Sequence, residues 1–288
     1  MSADERAFTF DCRGMRLPAI LHPGAAGATR GVLVVVGGPQ YRVGSHRQFV
    51  LLARTLAAAG IPVLRFDYRG MGDAEGEARD FTGIDADIEA AISAFIEQVG
   101  GLREVVIWGL CDAASAALFY AWRDPRVAGL VLLNPWVRTE AGEAKAYLTH
   151  YYRQRLFSPE LWRKVWRCEF DWRGSLVAFA GMVRRALTRP AAPAASALAG
   201  DADAGLPLPE RMAAGWRRFG GPVLLILSGD DLTAAEFRDV TATHVAWHGL
   251  LEQPRVGRRE FAEANHTFSR RLWRDQVAHW TLEWLRSW

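Results

Sequence analysis

A chain of 288 residues, 50% hydrophobic and 23% charged, has globular composition and enough length to bury one large core. No apolar run approaches the ~18 residues of a membrane-spanning helix, and the charged opening MSADERAFTFDCRG lacks the apolar segment of a secretory signal, so a soluble, cytoplasmic chain is expected. A formal charge of +3 without a dense basic block gives no indication of nucleic acid, and Cys12, Cys111 and Cys168 show no CxxC pairing, which argues against a disulfide framework and against a zinc site.

Phe8 to Cys12 and Met15 to His22 alternate as an opening pair of strands about a turn at Arg13-Gly14. After the small-residue spacer PGAAGATR, the run GVLVVVGG is β-branched throughout, as in a strand buried on both faces of a parallel sheet. His46 to Ala59 then carries Phe49, Leu52, Leu56 and Ala59 on one helical face, and Ile61 to Asp67 is the next buried strand. The pattern predicts a helix over Ile84 to Val99, a strand at REVVIWG, a helix over Ala113 to Trp122 and a strand at VAGLVLLNP. Strands alternating with helices predict an α/β fold, a mostly parallel twisted sheet flanked by helices.

After Pro135 the rhythm breaks. Thr139 to Arg189 is helical in pattern and rich in aromatics and arginine, and the Ala/Pro/Gly-rich stretch at about 189–209 predicts a mobile linker. The sheet resumes at GPVLLILSGDD, and REFAEANHTFS leads into a tryptophan-bearing helix, Arg270 to Trp288. The expected organisation is a core of residues 1–137 and 216–288 with an inserted helical cap at 138–215. Arg153, Arg155, Arg163 and Arg167 in that cap could attract an anionic substrate or form a solvated helix face.

The chemistry centres on Gly109-Leu110-Cys111-Asp112-Ala113-Ala114, between a buried strand and a small-residue helix. A side chain at the tip of a parallel strand, on a sharp turn into a helix, is exposed at the crevice where such sheets bind ligands, and G-x-C-x-A stands where a G-x-S-x-G elbow would. The bland alternative for Cys111 is a small buried hydrophobe. A thiol needs a base, and elbow enzymes order nucleophile, acid and histidine along the chain. His266, on a loop before the last helix, is the chosen base over His244, His248 and His279. Asp231, at the tip of LLILSGDD, is the carboxylate to orient it, with Asp230 in reserve. Oxyanion donors are expected from the backbone N–H of Asp112 and of Gly38, with Gln40 in reserve because Pro39 has no N–H. An Asp112 carboxylate beside the sulfur would disfavour a free thiolate, so either the thiol is deprotonated on demand or Asp112 turns away. Tyr41 and Trp136 are candidate pocket residues. No metal or cofactor is expected, since no strand is followed by G-x-G-x-x-G or a P-loop.

The pieces VVVGGPQ, RFDYRGMGDAEG, IWGLCDAAS, LSGDDLTA and ANHTFS, in that order, resemble the α/β-hydrolase superfamily over nearly the whole chain outside the insertion. RFDYRGMGDAEG resembles the D-x-R-G-x-G-x-S loop of serine-aminopeptidase and lipase-like branches, with Ala74 in place of the serine. More narrowly, the chain is similar to the hydrolase 1 family associated with the exosortase A system. That resemblance implies a setting in bacterial exopolysaccharide export and protein sorting, with the nucleophile at Cys111, the acid at Asp231 and the base at His266. Val36-Gly37 replaces the usual His-Gly of the oxyanion loop. The cysteine nucleophile resembles that of dienelactone hydrolase and implies ester or thioester hydrolysis, or acyl transfer. A small-molecule acyl ester or thioester is the expected partner. The rival expectation is a non-catalytic scaffold of the same fold that binds a ligand or protein.

Overall fold

The computed structural model describes residues 5–38, 40–138, 203 and 205–288. The expected cap, its four arginines, most of the linker, Pro39 and Cys168 lie outside the described residues. Eight strands among the described residues form one sheet. They are β1 (Arg6–Cys12), β2 (Met15–His22), β3 (Arg30–Val35), β4 (Val63–Phe66), β5 (Glu104–Leu110), β6 (Val127–Leu133), β7 (Val223–Asp230) and β8 (Val256–Asn265). Their order is β1-β2-β4-β3-β5-β6-β7-β8. β1 and β2 are antiparallel, β2 joins β4 antiparallel, and every pairing from β4 to β8 is parallel. The helices are α1 (Gln48–Ala58), α2 (Asp85–Gln98), α3 (Asp112–Tyr120), α4 (Leu208–Arg218), α5 (Leu232–Thr243) and α6 (Arg271–Leu285).

Consecutive residues Val32 to Val35 of β3 and Val105 to Ile107 of β5 are fully buried. Adjacent strand residues point to opposite faces, so both faces of the central sheet are covered. α1 packs against α6, and α3 contacts both α2 and α4. The opening hairpin turns at Arg13 and Gly14, both at positive φ (55° and 79°), which is the backbone that a two-residue hairpin needs.

Two elements depart from the sequence pattern. α1 begins at Gln48 rather than His46, because His46 and Arg47 have left-handed φ values of 53° and 61° and form a tight turn ahead of the helix. α4 lies in the stretch expected to end the cap. Its Met212, Ala213 and Trp216 are buried, and a Cβ on Gly215 would come 2.1 Å from the Leu118 carbonyl oxygen, so α4 sits directly on α3. The tryptophans of this region complete the contact, with Trp216 Nε1 donating to the Leu250 carbonyl (3.1 Å) and Trp247 Nε1 to that of Pro209 (3.0 Å).

Buried charge fixes the loops after β3 and β4. The Asp67 carboxylate is fully buried, pairs with the Arg42 guanidinium, and accepts the backbone N–H groups of Arg42 (2.6 Å) and Asp73 (3.0 Å). Arg69 grips Asp87 with two side-chain bonds of 2.8 Å, and the Asp87 carboxylate also accepts the Arg69 backbone N–H at 2.9 Å. The D-x-R-G segment is therefore a brace that ties the β3–α1 loop to the β4–α2 loop.

Candidate active site

β5 ends at Leu110 and α3 begins at Asp112, leaving Cys111 alone on the turn. Its φ of 64° and ψ of −125° are sparsely populated for a residue with a side chain and cost on the order of 1–3 kcal/mol. The surroundings enforce the conformation. The Cys111 N–H donates to the Leu133 carbonyl on β6 (2.9 Å), and its own carbonyl accepts from Ala114 and Trp136, each at 3.1 Å. A Cβ on Gly109 would stand 2.7 Å from the Ala113 carbonyl carbon, so the tight return of chain onto helix requires glycine there and a small residue opposite. The thiol is partly exposed. Cys12, in contrast, is buried, its Sγ contacts the Ala86 carbonyl at 3.5 Å, and burial pushes its thiol pKa up.

His266 follows β8 on a short loop. Asn265 clamps this loop by accepting from the Ser269 N–H (3.0 Å) and donating to its hydroxyl (2.8 Å), while Phe268 takes a left-handed φ of 49°. Asp231 caps α5. Its carboxylate accepts from the N–H groups of Thr233 (3.2 Å) and Ala234 (3.1 Å) and, through Oδ2, from His266 Nδ1 at 2.9 Å. An ionised carboxylate only accepts, so Nδ1 carries the hydrogen. Cys111 lies near enough to the imidazole to act on its charge. Burial works against the imidazolium charge, but the Asp231 hydrogen bond and the charges of Asp231 and Cys111 outweigh it and lift the His266 pKa to about 10. Asp231 and His266 are thus joined directly, with Cys111 close by. Asp230 is exposed at the end of β7, and the carboxylate that reaches the ring is that of Asp231.

Two residues that the sequence reading did not single out hold this arrangement. The buried Asn134 sits just past β6 at a φ of 42°, and its Nδ2 donates to the Ser228 hydroxyl (2.8 Å) and to the His266 carbonyl (3.0 Å). Its Oδ1 accepts the Ser228 N–H at 2.9 Å. A polar side chain that ends an apolar strand run, LVLLN, is the one sequence signal that could have flagged it.

The oxyanion side differs from expectation. The Gly38 N–H is already engaged, donating to both oxygens of the Asp112 carboxylate at 2.7 and 2.9 Å. Asp112 turns neither to solvent nor to the sulfur but across to the β3–α1 loop. Burial raises its pKa, against the N–H groups of Gly38, Ala113 and Asp112 itself and the positive His266, which favour the carboxylate. Gln40 is not a free reserve either. Its N–H donates to the Gly38 carbonyl (2.8 Å), and its Oε1 accepts from the N–H (2.9 Å) and hydroxyl (3.2 Å) of Ser45. Trp136 stands beside Cys111 through its backbone, bonded to the Cys111 carbonyl and accepting from the Ser115 hydroxyl at 2.6 Å. Tyr41 lies on the outer loop and is 45% exposed. Among the described residues no group of three His, Cys, Asp or Glu side chains could hold a metal ion, and no helix is long and apolar enough to cross a membrane.

Comparison with known proteins extends the fold assignment. No curated protein matches the sequence. The structure is similar to the esterase Pf2001 of Pyrococcus furiosus, with a TM-score of 0.65 and 14% identity over 100% of this chain and 94% of that one. It is also similar to Est1E of Butyrivibrio proteoclasticus, solved with ferulic acid, at a TM-score of 0.59 and 16% identity over 97% and 99% of the two chains. The α/β hydrolase GrgF of a Penicillium species gives a TM-score of 0.61 and 16% identity over 98% of each chain. At these identities the likeness is one of fold. The sequence model of the Alpha/beta hydrolase family matches residues 6–279. With the strand-tip turn at Cys111 and the parallel sheet behind it, this match makes the chain a member of the alpha/beta hydrolase family.

Proposed function

We propose that the protein is an acyl hydrolase or acyltransferase in which Cys111, His266 and Asp231 act as a catalytic triad on an ester or thioester. One observation carries the reading. A histidine anchored to a buried carboxylate at 2.9 Å stands close enough to a cysteine held at positive φ on a strand-to-helix turn for the sulfur to act on its charge. Asp231, fixed by two backbone N–H groups at the start of α5, holds the imidazole with its proton on Nδ1 and so turns Nε2 towards the sulfur. In the reaction the sulfur, its proton held on Nε2 of the His266 imidazolium, attacks the acyl carbon, and the carbonyl electron pair moves to oxygen. Collapse forms the thioester, and the leaving alcohol or thiol takes the proton from His266. Water, or an acceptor alcohol, then attacks the thioester with His266 as base and restores the thiol.

The esterase neighbours support acyl chemistry, and the exosortase resemblance proposes exopolysaccharide metabolism in the cytoplasm as its setting. A helical cap ahead of α4, within residues 138–207, belongs to the same proposal. A non-catalytic scaffold is the second reading, favoured by the engagement of the Gly38 N–H with Asp112. Alkylation by iodoacetamide separates the two, read at Cys111 by peptide mass mapping in the wild type and in His266→Ala. A free thiol titrates near ~8.5, so a paired cysteine is expected to react at pH 6.5 at least tenfold faster than in the histidine variant. Equal rates would overturn the triad.

A further inference from the structure

We propose that the Asp112 carboxyl is the resident occupant of the oxyanion hole, holding the Gly38 N–H until an acyl group displaces it, and that it thereby decides which acyl donors the site accepts. This inference rests on Cys111 being the nucleophile. The residue after an elbow nucleophile ordinarily contributes its backbone N–H to the developing oxyanion, together with an N–H from the loop after β3. Here the side chain of that same residue reaches the loop. Both its oxygens lie within 2.9 Å of the Gly38 nitrogen and accept its N–H. The carboxylate is thus bound by one of the two donors that an oxyanion would use, the Gly38 N–H.

The loop is built to admit it. A Cβ on Gly37 would come 2.3 Å from Asp112 Oδ1 and 2.5 Å from the Leu110 carbonyl oxygen, so the carboxyl occupies space that any side chain at position 37 would fill. An aspartate that merely favoured the first turn of α3 would gain that from solvent, without burial and without crossing to a loop 74 residues away in sequence. The consequence is selective. A neutral carbonyl oxygen is a poor competitor for N–H groups already bonded to a carboxylate. Small esters with nothing else to anchor them therefore enter slowly, whereas a donor bound through further contacts can push the side chain aside.

The test uses two reagents on one cysteine. Iodoacetamide transfers its carbon to sulfur by direct displacement of iodide and forms no oxyanion. p-Nitrophenyl acetate transfers its acetyl group to sulfur through a tetrahedral oxyanion and releases p-nitrophenolate. The ratio of acetylation to alkylation at Cys111, read by mass mapping on the full chain, reports the hole alone. Freeing the hole in Asp112→Ala is expected to raise that ratio at least tenfold, since one oxyanion donor is worth about 10²–10³ in rate. Asp112→Asn, which keeps the shape without the charge, is expected to raise it at least threefold and serves alone if the alanine variant fails to fold. A ratio equal to or below that of the wild type in the variants overturns the occupancy. Loss of the His266 effect on alkylation would instead overturn the triad, and the Asp112 ratio would still be decided on the same cysteine.

Discussion

Two histidines of this protein, one buried and one partly exposed, are driven in opposite directions by their neighbours. His22, on β2, is fully buried and accepts a hydrogen bond from Arg65 Nε at 3.0 Å. Burial and the Arg65 charge, aided by Arg54 and opposed by Glu5, push its pKa down to about 4. His266 is also partly withdrawn from water, yet Asp231 and Cys111 outweigh that burial and lift its pKa to about 10. Burial acts alike on both, and the sign is set by whether the partner is a guanidinium or a carboxylate. The first environment fixes a neutral ring as part of a brace between strands, while the second holds a proton ready beside a sulfur. Linkage separates them as well. The His266 interactions contribute their stability in full below about pH 6.5 and lose it as pH rises towards 10, whereas His22 matters on the acid side.

The largest effect is expected from breaking the pair that distinguishes His266. Asp231→Asn leaves the α5 cap nearly isosteric but removes the charge and allows the wrong tautomer, so turnover of a thioester should fall on the order of 10³-fold. Steady-state kinetics on a thioester panel would show it, and an unchanged kcat would deny Asp231 the orienting role. Next comes the brace. Arg69→Ala strands the fully buried Asp87 carboxylate, and breaking a buried pair in this way costs about 3–5 kcal/mol, measurable by urea unfolding. The folded fraction should still alkylate at Cys111 as the wild type does, because the brace does not touch the site chemistry. Asn134→Ala lies between the two regions in kind. It removes the bonds to Ser228 and to the His266 carbonyl, for a loss of about 1–3 kcal/mol with a slower acylation step. Stability lost with no change in acylation would confine Asn134 to packing.

The contrast also explains what the sequence could disclose. Runs such as VLVVV and VVIW announce buried strands because only a sheet covered on both faces tolerates them, and the elbow is legible because Gly109, Cys111 and Ala113 must crowd one turn. Chain order and a loop position after the last strand pick out His266, the strand tip offers Asp231 with Asp230 in reserve, and the structure joins His266 to Asp231 at 2.9 Å. α4 escaped because its amphipathic face follows an Ala/Pro-rich stretch and its partner surface, on α3, is 97 residues away at Gly215 against Leu118. Asn134 escaped because its partners, Ser228 and His266, lie 94 and 132 residues along the chain. The direction of the Asp112 side chain could not be read at all. Spacing puts its backbone N–H beside Cys111, but whether its carboxyl faces water or Gly38 depends on a loop whose position only the folded sheet fixes.

The smallest effect at neutral pH, and the one that isolates the histidine contrast, concerns His22. Above about pH 6.5 the ring is neutral in both folded and unfolded chains and contributes no pH dependence. As pH falls the unfolded chain binds a proton that the folded chain refuses until about pH 4, so stability declines across that window by roughly 1 kcal/mol by pH 5.5. Protonation would bring little relief, because Glu5 Oε1 stands 3.8 Å from Nδ1, beyond hydrogen-bonding distance, and Arg65 faces Nε2. His22→Gln keeps an acceptor for Arg65 but cannot titrate. Its stability relative to the wild type should therefore be flat above pH 6.5 and rise steadily below it, measured by urea unfolding at half-unit intervals down to pH 4.5. A difference that stays constant with pH would show that His22 takes up its proton in the fold, and that Glu5 rather than Arg65 governs the ring.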